Sequence, residues 1–262
     1  MSDRVDIEWR KQRVCIEYTW IEATRADAPL VIFLHEGLGS LRMWKSFPEQ
    51  LCAQAQCRGL VYSRPGYGES TPRAPEEHWG TDFMHQQAFE VLPALLQALH
   101  VKPSTPYWLL GHSDGASIAL LHASRYIDSV AGCMVLAPHI LVEDVTLKSI
   151  EAARQAYLHT DLPQRLGKYH HVPDSAFWGW NNIWLDPSFR DWSIERDLET
   201  ITCPVLAVQG LDDVYGTLEQ IHGIARRLPR TQVLELNDCG HSPHQDQAEK
   251  LIQTACTFIY NH

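Results

Sequence analysis

The segment Gly111-His112-Ser113-Asp114-Gly115 sets a serine hydroxyl between two glycines. The apolar run Tyr107–Leu110 precedes it and the small and apolar residues Asp114–Arg125 follow, which predicts a strand, a tight turn and a helix. Glycines flanking such a turn let the helix pack closely on the strand. The serine then projects beyond the carboxyl end of its strand at a helix N-terminus, the context in which a G-x-S-x-G motif presents a nucleophile. A serine hydroxyl is weakly nucleophilic until a base takes its proton. Two later segments carry partners, each after an apolar run: Gln209-Gly210-Leu211-Asp212-Asp213, and Asp238-Cys239-Gly240-His241-Ser242-Pro243-His244. Serine, acid and histidine in that chain order suit acyl transfer through a covalent intermediate. Spacing alone leaves Asp212 beside Asp213, and His244 beside His241.

Acyl transfer also builds negative charge on the former carbonyl oxygen, and each preorganised donor aimed at it is worth about 3–4 kcal/mol. The backbone N–H of Asp114, the residue after the serine, is one expected donor. The glycine-containing loop His35-Glu36-Gly37-Leu38-Gly39-Ser40 follows a strand-like run and is a source for the second.

The elements that must hold these groups are legible as a rhythm. Leu30–Leu34, Gly59–Tyr62, Tyr107–Leu110, Val130–Ala137 and Val205–Gln209 are short, continuous apolar runs, as in strands buried on both faces. Helical spacing lies between them: Met43 to Gln56, 82–99, Asp114–Arg125 and Leu218–Leu228, with a last strand at Gln232–Leu236 and a last helix from Gln245 to Tyr260. Pro93 predicts a kink or a division within 82–99. Residues 5–9 and 14–22, around Arg10-Lys11-Gln12-Arg13, read as an N-terminal hairpin. Such alternation means an α/β chain with a mostly parallel central sheet flanked by helices. Residues 139–196 interrupt it: they are polar and aromatic, with Trp178, Trp180, Trp184 and Trp192 close together and one helical stretch, Ile150–Leu158. We read them as an inserted helical cap (lid), with 1–138 and 197–262 as the core.

On these motifs the chain resembles the α/β-hydrolase superfamily over residues 30–262, in its cap-bearing branch of esterases, carbon–carbon-bond hydrolases and related lyases. The resemblance implies the α/β-hydrolase fold. It selects Asp213, three residues after the glycine ending its strand, and His241, in a Gly-His pair before the last helix; His244 becomes a surface or helix-start residue. It places the second oxyanion donor two residues beyond His35, at Gly37, with Leu38 as the alternative. The family's usual His-Gly is here His35-Glu36, and a carboxylate facing the substrate would repel an oxyanion. Glu36 is therefore expected to turn away and hydrogen-bond locally. The turn Arg64-Pro65-Gly66-Tyr67-Gly68-Glu69-Ser70 matches one that lies near the family's pocket floor, which makes Arg64 a weak anion-binding candidate.

The expected activity is that of a cofactor-independent serine hydrolase of a carboxylic ester, thioester or lactone. The alternatives are a carbon–carbon bond hydrolase or lyase on the same triad, and a small-molecule receptor on this fold. The expected partner is a small apolar or aromatic acyl compound, with Glu36, Leu38, Trp178, Trp180 and Trp184 as candidate contacts. No dinucleotide or P-loop motif appears, and His170-His171 lacks a third ligand at suitable spacing, so neither cofactor nor metal is expected. With 22 Lys and Arg against 32 Asp and Glu, and a net charge of −10, there is no basic stripe for nucleic acid. The seven cysteines form no Cys-x-x-Cys pair, and no run approaches the ~20 apolar residues of a membrane span. With a polar N-terminal segment, these features place the protein in the cytoplasm as reduced thiols.

Overall fold

The computed structural model describes residues 2–262 apart from Ala26 and Pro103. Eight strands alternate along the chain with eleven α-helical segments among the described residues. They begin with β1 (Asp3–Trp9), β2 (Gln12–Ile21), β3 (Leu30–Leu34), α1 (Phe47–Ala55) and β4 (Arg58–Tyr62). Then come α2 (Phe83–Gln86), α3 (Leu92–Ala98), β5 (Tyr107–His112), α4 (Asp114–Arg125) and β6 (Val130–Leu136). Four helices follow before the next strand: α5 (Asp144–His159), α6 (Leu162–Leu166), α7 (Pro173–Trp184) and α8 (Glu195–Leu198). The chain closes with β7 (Val205–Gly210), α9 (Glu219–Arg227), β8 (Gln232–Leu236), α10 (Pro243–Asp246) and α11 (Ala248–Asn261).

The strands form one sheet in the order β1-β2-β4-β3-β5-β6-β7-β8. β3 to β8 run parallel; β1 and β2 form the expected hairpin, and β2 joins β4 antiparallel. The hairpin turns through Arg10 and Lys11, both at positive φ without a glycine to advertise it.

Period-two alternation explains why the central runs are apolar throughout. Val31, Phe33, Val61, Trp108, Leu110, Met134, Leu136, Leu206 and Val208 share one buried cluster with side chains of α1 and α11. Their neighbours Ile32, Leu34, Leu60, Tyr62, Leu109, Cys133, Val135 and Ala207 share the other with α4 and the helices of 83–98. Both faces exclude water, so neither can be polar.

Pro93 does not break its helix. A π-helical turn, Gln87–Val91, widens the coil between α2 and α3 just before it. Pro93 offers no N–H to Phe89, and the Phe89 carbonyl accepts instead from Tyr126 Oη at 3.1 Å. The Ala88 carbonyl is likewise served by His122 Nδ1 at 2.7 Å. The freed acceptors therefore stay satisfied, which is what permits a proline inside a helix.

The segment between β6 and β7 is helical. Its two ends meet where Leu141 bridges Ser193 and Ile194 N–H donates to the Ile140 carbonyl at 2.9 Å. The buried Asn181 amide joins α7 to α5, donating to the Ile150 carbonyl and accepting from Arg154 Nε. No described helix is long and apolar enough to cross a membrane.

Candidate active site

The turn after β5 imposes strain on Ser113, whose φ is 52° and ψ −121°. An L-residue holds such a conformation only where its surroundings over-determine it. The glycines on either side show how. A Cβ at Gly111 would come within 2.2 Å of the Gly115 carbonyl oxygen, and one at Gly115 within 2.0 Å of the Leu34 carbonyl oxygen. Only glycine lets α4 descend so far onto β3 and β5. Ser113 N–H is fixed by the Leu136 carbonyl at 2.9 Å.

Ser113 Oγ donates to His241 Nε2 at 3.0 Å. His241 Nδ1 lies 2.9 and 2.8 Å from the two carboxylate oxygens of Asp213. Asp213 is itself held: Oδ2 accepts from Gln209 Nε2 at 2.7 Å and Oδ1 from Tyr215 N–H at 2.8 Å. Burial would raise its pKa, but the hydrogen bond and charge of His241, with the Tyr215 N–H, lower it overall. Its side chain is 1% exposed, whereas Asp212 points to solvent. The structure thus brings Asp213, not Asp212, to the ring. Such a line lets the imidazole accept the serine proton while the carboxylate holds its tautomer and offsets the resulting charge.

The loop after β3 borders the same space. Neither Gly37 N–H nor Asp114 N–H has an acceptor among the described residues, and both residues line the cavity above Ser113. Several contacts hold the loop still. The Glu36 carbonyl accepts from Arg64 Nη2 at 2.8 Å and from His35 Nδ1 at 2.7 Å, while His35 Nε2 accepts from Arg64 N–H at 3.0 Å. His170 Nε2 donates to the Leu38 carbonyl at 2.9 Å, and its Nδ1 accepts from Gly68 N–H at 3.0 Å. His170 is thus a pin between the α6–α7 connection and the loops carrying Leu38 and Gly68, and His171 is exposed beside it. The Glu36 carboxylate turns from the loop to His112 Nδ1, 2.7 Å away, the local partner its position calls for.

The cavity holds about 410 Å³. Glu36, Gly37, Leu38, Ser113, Asp114 and His241 line it from the core, and Trp180 and Trp184 from α7. Trp180 rests on Gly37: a Cβ there would lie 2.2 Å from the indole ring. The Trp184 ring nitrogen donates to Asp114 Oδ1 at 3.1 Å. Trp178 corrects the expectation that it contacts substrate. Two residues from Trp180 on a helix of 100° per residue, it faces the other way, packs on Tyr157 and Phe177, and borders a different pocket with Trp79.

Arg64 is likewise removed from the cavity. Fully buried, it lies with its guanidinium over the Tyr67 ring and Nη2 3.9 Å from Asp114 Oδ2, a fastening role in place of anion binding. His244 does start α10, but it is buried rather than on the surface, packed against Trp44 and His112. One of the lining groups had no signal in the sequence. His139, just beyond β6, lines the cavity 5.9 Å from the His241 ring, and burial followed by the His241 charge brings it down to about 3. Burial raises the Asp114 carboxyl to about 6 against the opposing pull of Arg64.

A parallel sheet with a strained serine at its carboxyl edge, in contact with an imidazole–carboxylate pair, is the architecture of an α/β hydrolase. The sequence model of the Alpha/beta hydrolase family matches residues 31–254, and the chain belongs to that family and is an enzyme of this fold. Protein phosphatase methylesterase 1 of Bos taurus is 28% identical over 112 residues, which cover 42% of this chain and 28% of that protein. Zearalenone hydrolase of Bionectria ochroleuca is 28% identical over 116 residues, 44% of this chain and 42% of that protein. The chain therefore matches less than half the length of either curated relative. Among solved structures, a thermophilic esterase from Thermogutta terrifontis superposes with a TM-score of 0.73 at 20% identity, covering 100% of this chain and 98% of that one.

Proposed function

We propose that the protein is a serine hydrolase that cleaves a carboxylic ester, thioester or lactone through an acyl-enzyme on Ser113. The observation that carries this reading is the continuous contact from Ser113 Oγ to His241 Nε2 at 3.0 Å and from His241 Nδ1 to Asp213. His241 takes the serine proton as Oγ attacks the carbonyl carbon. Negative charge develops on the carbonyl oxygen, where the N–H groups of Gly37 and Asp114 receive it. As the tetrahedral centre collapses, the proton on His241 passes to the leaving group, which departs and leaves Ser113 acylated. Water then enters, gives a proton to His241 and attacks the acyl carbon; the acid leaves and Ser113 recovers its proton.

In this reading residues 139–196 act as a cap over the nucleophile, and the acyl group lies against Leu38, Trp180 and Trp184. Those walls favour an apolar or aromatic acyl compound. The test is turnover of a chain-length series of p-nitrophenyl acyl esters by wild type and Ser113→Ala. The expected result is a burst of one p-nitrophenolate per wild-type active site and loss of turnover in the variant by about 10⁴-fold or more. Comparable steady-state turnover by Ser113→Ala would overturn the reading.

A further inference from the structure

His112, the residue before the nucleophile, faces an acceptor at each ring nitrogen. Nε2 lies 2.6 Å from the His241 carbonyl oxygen, which can only accept. Nδ1 lies 2.7 Å from Glu36 Oε2. A neutral imidazole carries one N–H and would set a lone pair against one of these oxygens. The proton in the Glu36 contact belongs to the more basic partner, the imidazole, because the carboxylate keeps 19% of its side-chain surface open to water, which favours its charged form, whereas His112 meets an acceptor at each ring nitrogen.

We propose that Glu36, half-buried, and His112, buried, form a carboxylate–imidazolium pair that holds the oxyanion loop, the nucleophile turn and the His241 loop in register, and that both act as positioning residues. The pair reaches all three at once. Glu36 directly precedes Gly37, His112 directly precedes Ser113, and His112 grips the backbone of His241 itself. It also removes the conflict posed by an acid beside the oxyanion loop: the carboxylate is neutralised by a fixed cation before any charge develops on the substrate.

The groups around His112 agree with a cation there. Glu36 faces it from the oxyanion loop. The His241 ring is 5.1 Å away with Asp213 behind it, the His244 ring of α10 is 4.7 Å away, and Trp44 closes the remaining side at 6.4 Å. Burial works against the His112 charge, but Glu36, the His241 carbonyl and Asp213 outweigh it and raise the group. Burial likewise opposes ionisation of Glu36, and the charge and hydrogen bond of His112 lead in bringing it to about 2. Burial and the neighbouring His112 charge lower His244 to about 3, so the positive charge stays on one ring.

The kinetic part of this inference rests on the hydrolase reading, so its test begins with a measurement that does not. In ¹⁵N-histidine-labelled wild type at pH 6.5, the ordinary imidazole midpoint, the His112 resonances should show both ring nitrogens protonated; a neutral His112 overturns the proposal whatever the enzyme cleaves. For the role in catalysis, Glu36→Gln and His112→Gln should each lower kcat by about 10- to 100-fold, with KM changed by no more than about threefold. The double variant should be no worse than the poorer single one, as expected of two residues acting as one unit. In wild type, kcat should fall on the alkaline side as His112 loses its proton, and Glu36→Gln should move that limb to lower pH by about one unit or more. A Glu36→Gln enzyme with unchanged kcat and an unmoved limb contradicts the positioning role.

Discussion

At the scale of single residues, neighbouring carboxylates receive opposite fates from a few ångströms of placement. Asp212 and Asp213 differ by one position; the second meets His241, Gln209 and the Tyr215 N–H, and the first meets water. Asp213→Asn keeps the size of the side chain but lets the wrong imidazole tautomer form, so kcat should fall by about 10³- to 10⁴-fold. Asp212→Asn should stay within about threefold of wild type, because an exposed side chain contributes little to a geometry it does not touch. Steady-state kinetics on the two variants, with far-UV circular dichroism as the folding control, checks both. Ser113 was legible in the sequence because its motif follows from a backbone requirement, a turn that tolerates only glycine; His241 was separated from His244 only by the resemblance to the family. Glu36 was legible as a departure, but its partner was not, since Glu36 and His112 are far apart in the chain and only strand order brings them together. His139 carried no local pattern at all, and His244, legible as a helix start, gave no sign that it would be buried.

At the scale of elements, the helical period decides which tryptophans face the cavity. Trp180 and Trp184 are four residues apart on α7 and share one face; Trp178 lies on another. Trp180→Ala should enlarge the cavity and shift the preferred acyl chain to longer esters. It should also lower stability by about 3–5 kcal/mol, the usual cost of removing a buried aromatic ring. Trp178→Ala should leave the chain-length profile unchanged and act on stability alone. Equal shifts in acyl preference for both variants would contradict this assignment of faces. The strands were readable because burial on both sides leaves no room for polar residues. The helices between β6 and β7 were less so: α6 and α8 are five and four residues long, too short for a period to emerge. The accommodation of Pro93 depends on Tyr126 and His122 of a distant segment, which no local reading of 82–99 supplies.

At the scale of the whole molecule, the proposed Glu36–His112 pair ties stability to pH. Glu36 drops from 4.5 to about 2 on folding, so its contribution is fully present above the unfolded value and is lost as pH falls toward the folded one. His112 is raised from 6.5, so its contribution is present below that value and disappears as pH rises through the folded one. Their joint stabilisation is therefore complete between about pH 4.5 and 6.5. For Glu36 the effect is on the order of 3 kcal/mol. Urea unfolding of wild type and Glu36→Gln should show a stability difference that is largest in this window and shrinks toward pH 2; a difference independent of pH would mean the charge is not what stabilises the contact. The proposed reaction concentrates its chemistry on one oxygen, Ser113 Oγ. Intact-mass spectrometry after treatment with a fluorophosphonate reads that oxygen directly. One phosphonyl adduct per chain, mapped to Ser113 and absent from Ser113→Ala, is the predicted result; equal labelling of the Ser113→Ala protein would contradict the account.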